Sequence, residues 1–352
     1  MTDGRPELGG KRLLVVGGAG FVGSNLVRRA LREDAAQVTV VDNLLSAERW
    51  AVPEDGRVRF LEGSIADDAV LAALDASYDQ VYHLATFHGN QNSIAEPLLD
   101  HENNLLTTIK LLERLREISV DGRIVYSASG CSLAEKTDED PTAVTEDGPV
   151  PLEHDSPYQI SKVVGEFYCV YYHSLYDLPT VRARFQNVYG PGETLGAGVW
   201  RGTSATVWRN VVPTFVYRAL KGMPLRLDNG GQASRDFIFV DDIVEGLLRC
   251  GSHGKPGDVY NLASGAETTI RELAETILRF ADSDSELEIA PRRSWDHAGR
   301  RFGSAAKSRA ELGFEVSVGL EEGLRRTVEW TRANMERIDA CVERHADRLA
   351  TA

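Results

Sequence analysis

Cysteine is scarce in this sequence, and long apolar segments are absent. The four cysteines are widely spaced and form no C-x-x-C pair, which argues against a disulfide framework, a zinc ribbon or another metal site. No run of about 18 consecutive apolar residues occurs, and the first residues lack the apolar stretch of a secretory signal. We therefore expect a protein of the reducing cytoplasm with no membrane partner.

Positive charge is also in deficit. The 39 Lys and Arg residues face 53 Asp and Glu residues, which gives a net charge of −14 at pH 7. A surface this negative repels nucleic-acid backbones and anionic lipids, so we expect no nucleic-acid partner. A phosphate-bearing ligand would have to be held locally, by backbone amides and a few well-placed arginines.

The chain has 352 residues, of which 42% are hydrophobic, and this is typical of a folded protein with about two structural units. Short β-branched runs alternate with segments of helical periodicity, a pattern that indicates βαβ units and a parallel sheet. The predicted strands are 13–16, 38–42, 58–62, 80–84, 123–127 and 181–185, and the predicted helices between them are 21–32, 67–74, 103–118 and 158–176. The fold class is therefore expected to be α/β, with a Rossmann-like doubly wound sheet.

The composition changes after Tyr189. A loop containing several Gly, Pro and Arg residues follows, and the alternating rhythm returns only in part, with strand-like and helical segments near 235–265. We expect residues 1–190 to form a cofactor-binding domain to which these returning segments contribute. Residues 191–352 would then form mainly a smaller substrate-binding lobe.

A glycine-rich loop follows the first predicted strand. Its sequence is Gly-Gly-Ala-Gly-Phe-Val-Gly, with glycines at 17, 18, 20 and 23, and a predicted helix begins within it. Gly17, Gly20 and Gly23 are spaced to allow a tight turn, close approach of a pyrophosphate and close packing of the helix on the strand. The loop therefore predicts a dinucleotide site at the start of this helix.

Asp42 ends the second predicted strand. A carboxylate at this place can accept hydrogen bonds from both hydroxyls of an adenosine ribose, and it repels the additional phosphate of NADP. No arginine follows in residues 43–46 to hold that phosphate. The expected cofactor is NAD.

Tyr158 and Lys162 are four residues apart on one predicted helix, so their side chains share a face. An ammonium near a phenol stabilises the phenolate, which lets the tyrosine exchange a hydroxyl proton during hydride transfer. Ser127 and Ser129 end the fifth predicted strand, where their hydroxyls would face the same crevice.

Taken together, these motifs resemble the extended short-chain dehydrogenase/reductases that act on nucleotide sugars, the NAD-dependent epimerase/dehydratase family. The resemblance covers nearly the whole chain. It rests on GGAGFVG, VDN, HLA, ENN, SAS, SPYQISK, RFQNVYGPG, VVP, RDFIFVDDIVEG and a closing LGF, in this order.

The resemblance implies a role for each matching residue. Tyr158 is the expected base, Lys162 its partner and a ribose ligand, and Ser129 the hydroxyl that bridges tyrosine and sugar. The residues expected to contact the cofactor are Gly17, Gly20, Phe21, Val22, Gly23, Asp42, Asn43, Leu84, Ala85, Ser127, Tyr158 and Lys162. The residues expected to bind the nucleotide diphosphate are Asn187, Arg235 and Arg293.

Departures from the family pattern narrow the expected chemistry. Dehydratases of the family place an Asp-Glu pair after the strand-end hydroxyl, whereas this chain has Gly130 and Cys131. Without an acid for the leaving hydroxyl, dehydration is not expected. An Arg that recognises uronic acids follows the YGP motif in some relatives, and its absence here disfavours a sugar carboxylate.

Cys131 leaves two interpretations open. The run SASGCSLAE resembles GDP-mannose 3,5-epimerases and GDP-fucose synthases, in which a cysteine moves a carbon-bound proton. Alternatively, Cys131 is a small residue lining the pocket. His88 and Arg201 are candidates for a second proton-transfer group or for substrate contacts, and Arg is a poor base at neutral pH.

The leading hypothesis is 4-epimerisation of a nucleotide diphosphate sugar (a UDP-, GDP- or dTDP-hexose) through a 4-keto intermediate. One alternative is inversion at C3 or C5 through Cys131, and another is a non-catalytic NAD-binding protein on the same fold. The resemblance also implies a homodimer, in which helices 103–118 and 158–176 form a four-helix interface.

Overall fold

A parallel sheet with helices on both faces organises the protein. The computed structural model describes residues 6–130, 141–293 and 299–351. Up to residue 129, the elements are β1 (Arg12–Val16), α1 (Phe21–Arg32), β2 (Gln37–Asp42), β3 (Val58–Glu62), α2 (Asp68–Ala72), β4 (Gln80–His83), α3 (Asn90–Ala95), α4 (Pro97–His101), a π-helical turn (Glu102–Leu106), α5 (Thr107–Glu117) and β5 (Arg123–Ser129).

The second half of the chain completes the sheet and adds the smaller elements. These are α6 (Pro157–Tyr176), β6 (Thr180–Phe185), β7 (Asn187–Tyr189), α7 (Val211–Leu220), β8 (Leu225–Asp228), β9 (Ser234–Arg235), β10 (Phe237–Phe239), α8 (Val240–His253), β11 (Val259–Leu262), β12 (Thr268–Thr269), α9 (Ile270–Ala281), β13 (Leu287–Ala290), α10 (Ala306–Leu312), α11 (Leu320–Ala333), α12 (Met335–Glu343) and α13 (Ala346–Thr351).

The sheet has seven strands in the order β11-β6-β5-β4-β1-β2-β3, and each pair of neighbours is parallel. The predicted Rossmann-like α/β fold is confirmed. The chain moves outward from β1 through β2 to β3 and then returns to β4 on the other side of β1. This reversal opens a crevice at the carboxyl ends of the central strands, which is where ligands bind in such sheets.

Both faces of the sheet are buried. Leu13 and Val15 of β1 point into one apolar core, and Leu14 and Val16 point into the other. Because successive strand residues face opposite sides, an unbroken apolar run is what a strand covered by helices on both sides requires. In the described part of the chain, no helix combines the length and apolar character needed to cross a membrane.

Two of the predicted helices differ from expectation. The segment predicted as a helix over 67–74 is helical only over Asp68–Ala72, and the Asp67 carboxylate accepts a hydrogen bond from the Ser64 amide rather than capping the helix. The segment predicted as one helix over 103–118 begins with the π-helical turn Glu102–Leu106. Apolar periodicity does not distinguish a π turn from an α turn in so short a stretch.

Helix α6 is defined at both ends by local sequence. Ser156 is its N-cap and accepts a hydrogen bond from the Gln159 amide, Pro157 occupies the first turn, and Asp177 ends the helix in the left-handed conformation. These are favourable residues at helix ends. The helix lies against β5 and β6, which directs its first two turns toward the crevice.

Candidate active site

A cavity of about 850 Å³ lies at the carboxyl ends of the central strands, within the size range of small-molecule sites. Most of the residues predicted from the sequence line it. These are Gly17, Gly20, Phe21, Val22, Gly23, Asp42, Asn43, Leu84, Ala85, His88, Ser127, Ser129, Tyr158, Lys162, Asn187, Arg235 and Arg293. The fold thus brings together residues that are far apart in the chain.

The glycine loop is tightly packed at one end of the cavity. Gly17 has φ +84°, and a Cβ there would lie 2.5 Å from the Ala85 amide nitrogen. A Cβ at Gly23 would overlap the carbonyl oxygen of Gly17. Helix α1 begins at Phe21 without a side-chain cap and without an acidic residue in its first turn, so its first amides and positive dipole end remain available to an anion.

Asp42 connects the end of β2 to this loop. One carboxylate oxygen accepts a hydrogen bond from the Ala19 amide and the other from the Leu44 amide, each at 2.9 Å. Burial raises the pKa of Asp42, while the hydrogen bonds from Leu44, Ala19 and Gly20 oppose that change. These hydrogen bonds hold the Asp42 carboxylate in place beside the glycine loop.

Tyr158 and Lys162 lie side by side on α6. The Lys162 Nζ is 6.0 Å from the centre of the Tyr158 ring and 5.3 Å from that of Tyr126. Lys162 donates hydrogen bonds to the carbonyl and the hydroxyl of Ser127, at 2.9 and 3.5 Å. Burial lowers the pKa of Lys162 to about 8.

His88 lies edge-on to the Tyr158 ring, with ring centres 5.7 Å apart. Burial, followed by the charges of Arg209, Arg201 and Lys162, lowers the pKa of His88 to about 3. At neutral pH this imidazole is uncharged, so it can give or accept a hydrogen bond but cannot supply a cation to the site.

The other end of the cavity contains basic side chains from separate segments. Arg235, on β9, is anchored by hydrogen bonds to the carbonyls of Ser234 and Gly299, at 2.6 and 2.7 Å. Arg293 forms an ion pair with Asp228. Asn187, at the start of β7, also lines the cavity. This end matches the anionic part of a ligand by charge.

Two residues singled out in the sequence lie elsewhere or cannot be described. Arg201 is only 2% exposed and does not line the cavity, because its guanidinium donates to the backbone carbonyls of Leu45, Val199 and Thr206. This residue secures the loop after β7 against the end of β2. Cys131 lies outside the described residues.

Sequence reasoning missed several buried polar residues around the site. Asp100 and Asn104 form a hydrogen-bonded pair behind α6, and Glu193 lines the cavity while accepting a hydrogen bond from Asn210. Burial raises the pKa of Glu193 to about 7. Asn104 lies within the ENN motif and Asp100 is four residues before it, so helical spacing was the available signal.

Comparison with known proteins gives consistent results. The model of the "NAD dependent epimerase/dehydratase family" matches residues 13–263. The UDP-glucose 4-epimerase of Mycolicibacterium smegmatis is 33% identical over 91% of this chain and 98% of its own. The dTDP-glucose 4,6-dehydratase of Streptomyces antibioticus is 32% identical over 92% of each chain.

A solved structure is more similar still. The Bordetella bronchiseptica enzyme WbmF, crystallised in complex with NAD+ and UDP, has 55% sequence identity to this chain and a TM-score of 0.87, and the match covers 99% of both chains. The resemblance noted in the sequence is thereby confirmed over almost the full length.

Proposed function

Because the chain belongs to the NAD-dependent epimerase/dehydratase family, we propose that it is a 4-epimerase of a UDP-activated sugar. The observation that supports this most directly is the joining of three features in one cavity: the glycine loop, the Tyr158–Lys162 pair and the arginines at the far end. The solved relative crystallised with UDP supports uridine among the possible nucleotides.

The cofactor is NAD, and the described residues fit it. A Cβ at Gly17 would overlap the Ala85 backbone and one at Gly23 would overlap the Gly17 carbonyl oxygen, so the tight turn that offers backbone amides to a pyrophosphate requires glycine at both positions. Asp42 stands at the ribose position, and the uncapped start of α1 offers amides to the phosphates. When bound, NAD takes up a hydride from the sugar and returns it.

Tyr158 and Lys162 would control the proton that accompanies this chemistry. The buried ammonium of Lys162 favours the phenolate of Tyr158 over the phenol. The phenolate accepts the proton of the sugar 4-hydroxyl and returns it when the ketone is reduced on its other face. Ser129, which lines the same cavity as Tyr158, would hold the sugar oxygen in position.

The residues beside Ser129 favour epimerisation over dehydration. Gly130 occupies one of the places where dehydratases carry a carboxylic acid, and a side chain there would overlap the amide of Gln186. No acid is thus supplied from Gly130 to protonate a leaving hydroxyl. The diphosphate would be held by Asn187, Arg235 and Arg293, which leaves the ketone free to turn over in the cavity.

A panel of UDP-hexoses and UDP-N-acetylhexosamines, with sugar products identified by NMR, tests the proposal. We expect a 4-epimer and no dehydrated product. Tyr158→Phe should keep NAD binding but lower kcat by about 10²–10⁴-fold, since it removes the general base. Tyr176→Phe, an exposed tyrosine at the C-terminal end of the same helix, is the matched control and should behave like the parent protein. Near-normal turnover of Tyr158→Phe, or a dehydrated product, would contradict the proposal.

We also propose that residues 1–190, with the returning segments near 235–265, form the NAD-binding domain and that residues 191–352 form mainly the substrate-binding lobe.

We further propose that two copies of the protein pair through α5 and α6. Ile160, Phe167, Tyr171 and Leu175 of α6 are 48–57% exposed, and apolar side chains at this helical spacing favour a helix-packing interface. Light scattering should give the mass of a dimer for the parent protein and of a monomer for Phe167→Glu. A monomeric parent protein would contradict this pairing.

A further inference from the structure

A buried carboxylate lies behind the Tyr158–Lys162 pair. Asp100 is 2% exposed and lies in α4, two residues before the π-helical turn Glu102–Leu106. Its Oδ1 accepts a hydrogen bond of 2.7 Å from the Asn104 amide nitrogen. A π turn inside a helical segment is uncommon and is frequently found at functional sites. The hydrogen-bonded pair of Asp100 and Asn104 therefore lies where functional residues are often found.

Asn104 connects the Asp100 carboxylate to the loop after β4 and to helix α6. Its Oδ1 accepts from the Phe87 amide at 2.7 Å and from the Thr86 hydroxyl at 2.9 Å, so it holds the loop after β4. Its Nδ2 also donates to the Ser161 hydroxyl at 3.1 Å, and that hydroxyl donates to the Tyr158 carbonyl. Asp100 therefore fixes which way the Asn104 amide points, because the Nδ2 side needs acceptors.

The surroundings of Lys162 contain little compensating charge. Its hydrogen bonds go to the uncharged carbonyl and hydroxyl of Ser127. The titratable groups that act on Lys162, or on which its charge acts, are His83, His88, Cys169 and Asp100. The rings of Tyr126 and Tyr158 also lie against Lys162.

Most of these groups are uncharged near neutral pH. Burial lowers the pKa of His83 and of His88 to about 3 and raises the pKa of Tyr126 and of Cys169. Glu166 faces Tyr126 and Cys169 but is paired with Arg182 and Arg184.

Asp100 is ionised in this range. Burial raises the pKa of Asp100 to about 6, against the opposing effects of Ser161, Lys162, Asn104 and His101. Above that pH its negative charge favours the protonated form of Lys162, as the electrostatic interaction between the two groups indicates. The protein thus retains a buried charge that is unfavourable for folding, beside a lysine whose own charge is disfavoured by burial.

We propose that Asp100 is a positioning residue of the active site, which holds the Asn104 amide in place and supplies a negative charge behind Lys162. This inference rests on the proposed function only through the role of Lys162 beside Tyr158. We propose no contact between Asp100 and the substrate. It acts through Asn104 and through its field at Lys162.

The Asp100→Asn variant tests the proposal, because it removes the charge and keeps the shape. In the parent protein, kcat/KM should fall above about pH 8, where Lys162 loses its proton. In Asp100→Asn this fall should begin about one pH unit lower, which corresponds to an approximately tenfold loss of activity on the alkaline side. Asp100→Glu should restore the parent profile, and Glu102→Gln, an exposed acid two residues away, should leave it unchanged.

A second measurement does not depend on turnover or on the variant folding. NMR of the parent protein labelled with ¹³C at the lysine ε-carbon, with the signal assigned through Lys162→Arg, should show the Lys162 resonance titrating near pH 8 and responding near pH 6 as Asp100 gains a proton. An active parent protein with no response near pH 6, or an alkaline limb unmoved in Asp100→Asn, would overturn the proposal. A parent protein that turns over no nucleotide sugar would instead contradict the proposed function.

Discussion

The two ends of the cavity are built in different ways. The end that we propose binds NAD, called here the cofactor end, is formed by backbone amides of one continuous loop, by Asp42, and by strand ends that the sheet holds side by side. The other end, which we propose binds the nucleotide sugar and call the substrate end, is formed by side chains from separate segments, among them Asn187, Arg235 and Arg293. The first end depends on the absence of side chains, and the second on the presence of charged ones.

Because of this difference, the two ends of the cavity should tolerate different kinds of substitution. A site made of backbone is precise but cannot absorb added volume, because the nearest atoms belong to main chain. A site made of long side chains tolerates changes in shape but depends on charge. The cofactor end should therefore fail through steric overlap, and the substrate end through loss of a cation.

The largest effect is expected at the glycine loop. Gly17→Val adds a side chain where even a Cβ would lie 2.5 Å from the Ala85 amide, at a φ of +84°. NAD affinity measured by calorimetry should fall about 100-fold or more. Gly56→Ala is the matched control, because nothing lies within 4 Å of its Cβ. Retention of parent-like NAD affinity in Gly17→Val would contradict the steric account of this end.

A smaller effect, on a different ligand, is expected at Arg235. Arg235→Leu should weaken UDP binding about 10–100-fold, since a charge-assisted hydrogen bond contributes about 1.5–3 kcal/mol. NAD affinity should be unchanged, which calorimetry of both ligands would establish. Arg279→Leu, an exposed arginine on α9, controls for the loss of positive charge. Equal weakening of NAD and UDP would show that the two ends are not separable.

The smallest effect is expected at Asp42, where charge acts within the backbone-built end. Asp42→Asn removes the negative charge but retains a carbonyl oxygen that can accept from the Ala19 amide. The ratio of NAD to NADP affinity should fall about tenfold, mainly because repulsion of the NADP phosphate is relieved. If the ratio does not change, the carboxylate does not select between the two cofactors.

The same difference explains how much could be predicted from the sequence. The loop from Gly17 to Gly23 and the Tyr158–Lys162 spacing are local patterns, and strand periodicity predicted the sheet that carries them. Arg201 shows where such reasoning ends. An arginine in this loop suggested a ligand contact, yet the Arg201 guanidinium donates hydrogen bonds to three backbone carbonyls. Which carbonyls lie beside a loop arginine depends on tertiary packing that local sequence does not encode.

Asp100 illustrates the same limit for buried polar groups. Its four-residue spacing from Asn104 is visible in the sequence, but its position behind Lys162 depends on how α4 and the π-helical turn pack against α6. Charged residues are rarely buried, so composition alone predicts an exposed acid there. Only the assembled fold shows that this acid faces α6.

The proposed 4-epimerisation requires oxidation of the sugar at C4 within the cavity and return of the same hydrogen. The most direct test is to incubate the protein with UDP-hexoses in deuterated water and follow the sugar protons by NMR. We expect a 4-epimer without deuterium at any ring carbon. Deuterium at C3 or C5 of the product would contradict it and would indicate inversion through an exchanged carbon-bound proton instead.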